Sequence, residues 1–144
     1  MMHRHQQFAG LSREAIYQKL LHLAKLAPPF DPLWRTEANR VMGCQSLTYL
    51  HVAMHCNATG ELSVHLAATS DALISLGLAT LLVSVYDGMS PEEVLRHEPT
   101  FLRDEGILAS LSPTRANGVV HVWLKLKQET AQLYHHHVKC AVEK

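Results

Sequence analysis

Leu47-Thr48-Tyr49-Leu50-His51-Val52-Ala53-Met54-His55-Cys56, then Asn57-Ala58-Thr59-Gly60, then Glu61-Leu62-Ser63-Val64-His65-Leu66-Ala67 is the segment that sets the architecture. Apolar side chains recur at every second position on both sides of the central four residues. Leu50, Val52 and Met54 therefore share one face of a first strand, and Leu62, Val64 and Leu66 share one face of a second. The Asn-Ala-Thr-Gly segment has turn chemistry, so the two strands are read as an antiparallel hairpin. Pairing Met54 with Leu62 sets Val52 opposite Val64 and Leu50 opposite Leu66, whereas a one-residue slip would set apolar against polar. That register puts His51 opposite His65 and His55 opposite Glu61 on the other face. Upstream, Val41-Met42 is placed to add a short third strand.

Helical patterns surround the hairpin. Ser12 caps a first helix to about Ala27, with Glu14 near its positive end and Ile16, Leu20, Leu23, Ala24 and Ala27 along one stripe. Pro28-Pro29 ends it, and Phe30 to Ala38 reads as an irregular covering segment. Ser70-Asp71 opens a helix to about Asp87-Gly88 that is apolar nearly all round, the mark of a central position. Ser90-Pro91-Glu92-Glu93 is a capping box that starts a short helix, Phe101 to Gly106 reads as another, and Ser112-Pro113 starts a last long helix to about Leu133. The expected architecture is one α+β domain over residues 1–144, its core at about 12–133 and its tail at 134–144 disordered. In it, a small antiparallel sheet of about three strands packs against several helices.

The 144 residues are enough for one core, and 47% hydrophobic residues is an ordinary globular value. A formal net charge of zero leaves no basic field for nucleic acid or anionic lipid. The apolar stretch from Ala72 to Tyr86 is shorter than the ~20 residues that span a bilayer, and no secretory signal is visible, so a cytoplasmic protein is expected. Three cysteines, Cys44, Cys56 and Cys140, are too few and too scattered for a disulfide framework or a Cys-x-x-Cys site. Their odd count fits a reducing compartment. Cys56 falls on the apolar side of its strand and reads as core, and Cys140 reads as an incidental thiol of the tail. His51, His55 and His65 invite a metal reading, but a solvated polar face accounts for them, and no metal is expected.

Cys44 is different. It follows Gly43 on a tight turn between two strand-like flanks, where a thiol is presented to another molecule instead of packing within a strand. Its placement argues for sulfur chemistry.

At this point the residues resemble a known family. Asn39-Arg40-Val41-Met42-Gly43-Cys44-Gln45-Ser46 looks like the signature of the SufE-like sulfur acceptors, also called cysteine desulfuration proteins. Ser70-Asp71-Ala72 with Gly77-Leu78, Tyr86-Asp87-Gly88-Met89-Ser90-Pro91-Glu92-Glu93, and Leu111-Ser112-Pro113-Thr114-Arg115-Ala116-Asn117-Gly118 resemble three further blocks in the same order, so the likeness covers roughly Asn39 to Leu126. The chain departs from the pattern at Thr48-Tyr49, where the family usually has Val-Trp, at Thr69 for an acidic residue, at Ser75-Leu76 for Val-Lys, and mildly at Thr114 for Ser. Loss of a cation at Leu76 bears on docking to a charged partner.

The resemblance implies a SufE-like fold, related to iron–sulfur scaffolds, and a sulfur relay. A cysteine desulfurase holds sulfur as a persulfide, Cys44 collects it and stimulates the desulfurase, and an iron–sulfur scaffold or other acceptor receives it. The chain is then a sulfur-transfer accessory protein more than a stand-alone enzyme. Pyridoxal phosphate belongs to the desulfurase, and no cofactor of this chain's own is expected. By the same likeness Arg115 is the cation that stabilises the thiolate, Asp71 and Asn39 anchor the loop, and Gly43, Gln45 and Ser46 support it. Arg115 as a local helix-start partner and Asp71 as a helix-start residue stay open beside those roles. Cys44 is expected to rest in an apolar niche and swing out on docking. The alternatives are a non-catalytic interaction module of the same fold with altered partners, and a cysteine hydrolase or transferase with His121 as base. Monomer and homodimer are both compatible with the residues.

Overall fold

The computed structural model describes residues 7–142, with side-chain surroundings given through residue 137. Cys140 and the first six residues therefore lie outside the side chains described below. The order of elements is helix α1 (Arg13–Lys25), two short 3-10 turns (Pro32–Trp34 and Glu37–Asn39), strands β1 (Thr48–Cys56) and β2 (Leu62–Ser70), then helices α2 (Leu73–Tyr86), α3 (Pro91–Arg96), α4 (Phe101–Asp104), α5 (Ile107–Ser110) and α6 (Pro113–Val142). It is an α+β architecture in which β1 and β2 form a two-stranded antiparallel sheet packed on α2 and α6.

The sheet corrects two expectations. Val41-Met42 does not make a third strand. The segment touches the β1 edge at one bridge, Arg40 with Tyr49, beside a Val41 N–H to Thr48 carbonyl bond of 2.8 Å. Gly43 turns the chain away immediately afterwards with φ at +88°. The register keeps the expected faces but is offset by two residues: Met54 pairs with Val64, Val52 with Leu66, Leu50 with Ala68, and Cys56 with Leu62. A period of two cannot distinguish registers that differ by two, and the turn decides between them. Here the Asn57 side-chain oxygen accepts from the Thr59 N–H, the Thr59 hydroxyl and the Glu61 N–H at 2.7–3.0 Å, closing the turn so tightly that pairing runs out to Cys56.

The outer face changes accordingly. His51 faces Ala67 and Ala53 faces His65. His51 stacks on Trp34 at 4.2 Å, while His55 meets His65 diagonally at 5.3 Å. Among the described residues, no group of three or more His, Cys, Asp or Glu side chains is arranged to hold a metal ion. Cys56 is exposed instead of packed in the core, because it lies at the turn end of β1, where the strand is exposed from His55 onward.

Helix α2 is central, as its composition predicts, with Leu78, Leu81 and Leu82 almost wholly buried. It begins later than expected: Ser70 is still in β2, and the cap position falls on Ala72, which offers no side-chain bond. Gly77 makes its crossing with α1 possible, since a side-chain carbon there would sit 2.1 Å from the Leu20 carbonyl oxygen. The segment after α2 is tied to the free edge of β2. Gly88 N–H reaches the Val64 carbonyl, Val64 N–H reaches the Met89 carbonyl, and Leu66 N–H reaches Asp87, each at 2.8 Å. Helix α6 does not end near Leu133 but continues to Val142, past His135-His136-His137. Among the described residues no helix is long and apolar enough to cross a membrane.

Candidate functional site

Two buried residues, Val41 and Thr48, clamp the ends of the turn that carries Cys44. Between them the chain is exposed at Met42, Gly43, Gln45 and Leu47, with Cys44 and Ser46 half-buried. The positive φ of Gly43 is a conformation that a residue with a side chain rarely adopts. The turn is tied to the start of α2 by a pair of bonds: Leu47 N–H to Asp71 Oδ1 at 2.9 Å and Asp71 N–H to the Leu47 carbonyl at 3.1 Å. Ser46 adds a hydroxyl contact of 3.2 Å to Ser75.

The Cys44 thiol is seated on α6. Its Sγ donates to the Gly118 carbonyl at 3.4 Å, and a carbon placed on Gly118 would lie 3.5 Å from the sulfur. The side chain also touches the main apolar cluster, so where an apolar niche was expected the thiol is half-buried, with apolar packing on one part and the Gly118 carbonyl on another. One turn further along α6, His121 packs against the same turn at Gly43. Its ring comes within 2.7 Å of where a side chain on Gly43 would begin. Burial pushes the Cys44 thiol up from its ordinary pKa, and hydrogen bonding from Thr48 works in the opposite direction.

Asp71 thus meets the turn through the Leu47 amide. Ser46 joins a group of hydroxyls with Thr48, Ser70 and Ser75. Gln45 is exposed at the tip. Asn39 is not a tie on the Cys44 turn: its amide donates to the Trp34 carbonyl at 2.8 Å and lies 3.5 Å from His51 Nδ1, so it organises the covering segment. Arg115 is exposed and faces α1, where Arg13 first and Arg115 second hold the Tyr17 phenol below its ordinary pKa. Its charge is not among the influences on the thiol in this conformation. Thr48 and Gly118 are contacts of the turn that the sequence did not single out for it, whereas His121, named as a base in the hydrolase alternative, lies against Gly43.

The SufE family, described as an Fe-S metabolism associated domain, matches residues 3–130. SufE-like protein 1, chloroplastic/mitochondrial, of Arabidopsis thaliana is 36% identical over 118 residues, covering 82% of this chain and 30% of that protein. Cysteine desulfuration protein SufE of Plasmodium vivax is 30% identical over 110 residues, covering 76% of this chain and 43% of that protein. The chain thus spans less than half the length of these two relatives. The solution structure of a hypothetical protein from Thermus thermophilus superposes with a TM-score of 0.72 at 29% identity, covering 89% of this chain and 90% of that one. With the Cys44 turn intact and the family's pattern running through residues 3–130, this chain belongs to the SufE family.

Proposed function

We propose that the chain accepts sulfur on Cys44 from the persulfide of a cysteine desulfurase and passes it on for iron–sulfur cluster assembly. The observation that carries this reading is the single thiol at the tip of a glycine-led turn, half-buried against Gly118, in a chain matched by the SufE family. The step balances without an external oxidant. The Cys44 thiolate attacks the outer sulfur of the desulfurase persulfide, and a sulfur–sulfur bond forms on Cys44 as the old one breaks. The desulfurase cysteine leaves as a thiolate, and the proton of Cys44 passes to solvent. Pyridoxal phosphate stays with the desulfurase.

Exposed Met42, Leu47 and Leu73 flank the turn and support docking of another protein around it. Seating on a bare carbonyl also supports release, because the thiol is held by one weak hydrogen bond and some packing. The test is intact mass spectrometry after incubation with a desulfurase and free cysteine. One added sulfur atom on the chain, absent from Cys44→Ser, is expected. Unmodified protein with a range of desulfurases overturns the reading.

A further inference from the structure

The Cys44 turn and α6 exchange side chains at two adjoining places. Cys44 Sγ donates to the Gly118 carbonyl at 3.4 Å, and a carbon on Gly118 would lie 3.5 Å from the sulfur. In the other direction the His121 ring lies against Gly43, with Cδ2, Nε2 and Cγ at 2.7–2.9 Å from where a side chain there would begin. Each side chain thus sits against a glycine of the opposite element. Gly118 and His121 are three residues apart on α6, so they share a face, about 4.5 Å apart along the axis. Gly43 and Cys44 are consecutive, with Cα atoms about 3.8 Å apart. The two spacings match, and the turn lies along that face of the helix.

The ends of the turn are fixed by buried Val41 and Thr48 and by the paired bonds of Asp71 and Leu47. Its middle is held lightly. From Met42 to Gln45, the thiol's bond is the one hydrogen bond that ties the turn to another element among the described residues. A thiol is a weak donor, and the Cys44 side chain adds some apolar packing. His121 stands on exposed helix surface, and its imidazole makes no hydrogen bond or ion pair among the described residues. Packing on Gly43 is what the ring contributes, and rotation about its side-chain bonds takes it into solvent.

We propose that His121 is a positioning residue for Cys44: its ring latches the turn onto α6, so that the thiol is withheld from small reagents and offered to a protein that moves the ring aside. Lifting the turn breaks the bond to the Gly118 carbonyl and carries Gly43 away from the imidazole. Gly43 is a suitable pivot, since glycine accepts either sign of φ. The latch opens without any shift of α6, because the ring is on the helix surface. It acts on where the sulfur is and not on whether it is ionised: the ring touches Gly43, while the thiol is bonded to the Gly118 carbonyl. That distinction can be measured. When a thiol reacts through a local opening, its rate scales with the open population. A weaker latch then multiplies the rate by one factor at every pH and leaves the midpoint of the pH profile in place.

This inference rests on Cys44 being the acceptor thiol, but its test needs no desulfurase. The full chain is alkylated with iodoacetamide from neutral to alkaline pH, and modification of Cys44 is followed by peptide mass spectrometry, separately from Cys56 and Cys140. His121→Ala is expected to speed Cys44 modification about three-fold or more at every pH, with the midpoint unmoved and the Cys56 rate unchanged. His121→Phe keeps a flat ring without its nitrogens and is expected to stay as slow as the native chain. The gain in His121→Ala should be the same at zero and at low urea, the mark of a local opening and not of general unfolding. A Cys44 rate in His121→Ala equal to the native one overturns the proposal. So does His121→Phe reacting as fast as His121→Ala, a moved midpoint, or a gain that appears only with added urea. Sulfur loading that fails with every desulfurase while the His121→Ala gain stands sinks the relay reading alone. Loading that succeeds with an unchanged His121→Ala rate sinks this proposal alone.

Discussion

The imidazole of His121 lies against the Gly43 backbone, its nearest atoms 2.7 Å from where a side chain on that glycine would begin. Position 43 is thus constrained twice, by its positive φ and by a neighbour on α6. The two constraints separate under mutation.

Gly43→Ala is expected to cost about 1–2 kcal/mol of stability, because a left-handed conformation is unfavourable for any residue with a side chain. Adding His121→Ala removes the collision but not the backbone strain. The double variant should therefore recover only part of the loss and remain less stable than His121→Ala alone. Urea unfolding of the four proteins checks this, and full recovery would show that φ at 43 is unimportant.

Gly77→Ala places a carbon against the backbone of α1, which has no flexible end to move aside. Crowding of this kind costs about 1–3 kcal/mol or more. The expected outcome is a larger drop in urea midpoint than for Gly43→Ala, with loosening of α1 visible in hydrogen exchange at Leu20 and its neighbours.

Asp71→Ala removes the acceptor for the Leu47 N–H at the rim of the site. The amide can find water there, so the loss is about 1 kcal/mol. The more telling effect is on dynamics: the turn loosens and Cys44 is alkylated faster at fixed pH. Asp71→Asn keeps an acceptor and should lie between the two. Equal alkylation rates in all three proteins would show that the bond does not restrain the turn.

Cys56 is exposed, whereas Cys44 is half-buried with its pKa pushed up by burial. In the native chain iodoacetamide should modify Cys56 well before Cys44 at neutral pH, and denaturant should abolish the difference. The same upward shift has a sign in stability. The native thiol keeps its proton at a pH where the unfolded thiol loses it. Its contribution is therefore complete below the unfolded pKa and is lost as pH rises through the higher folded one. Cys44→Ser should flatten that part of the alkaline decline in the urea midpoint.

The hairpin, the central α2 and the thiol turn were legible because each rests on a local pattern: period two, an all-apolar helix, a glycine before a cysteine. The register was not, since alternation is blind to a shift of two and the deciding bonds come from one asparagine side chain, Asn57. Arg115 was placed at the thiol by its motif, but a helix side chain points where its turn of helix points, and here that is toward Tyr17. Asn39 sits beside the signature cysteine in sequence yet serves Trp34, five residues before it. Thr48 and Ser75 were visible only as departures from a family pattern. Their meeting with Ser46 and Ser70 depends on the hairpin closing against α2, which no local spacing encodes.

The berth that Gly118 offers the thiol is shallow: a carbonyl oxygen stands 3.4 Å from the sulfur. A sulfur–sulfur bond is about 2 Å long. A second sulfur extended along that line would run into the oxygen, so a laden side chain must tilt aside or leave the helix. If Cys44 takes on that second sulfur, the empty and laden chains differ in outline, and a protein that touches this rim can tell them apart by fit alone.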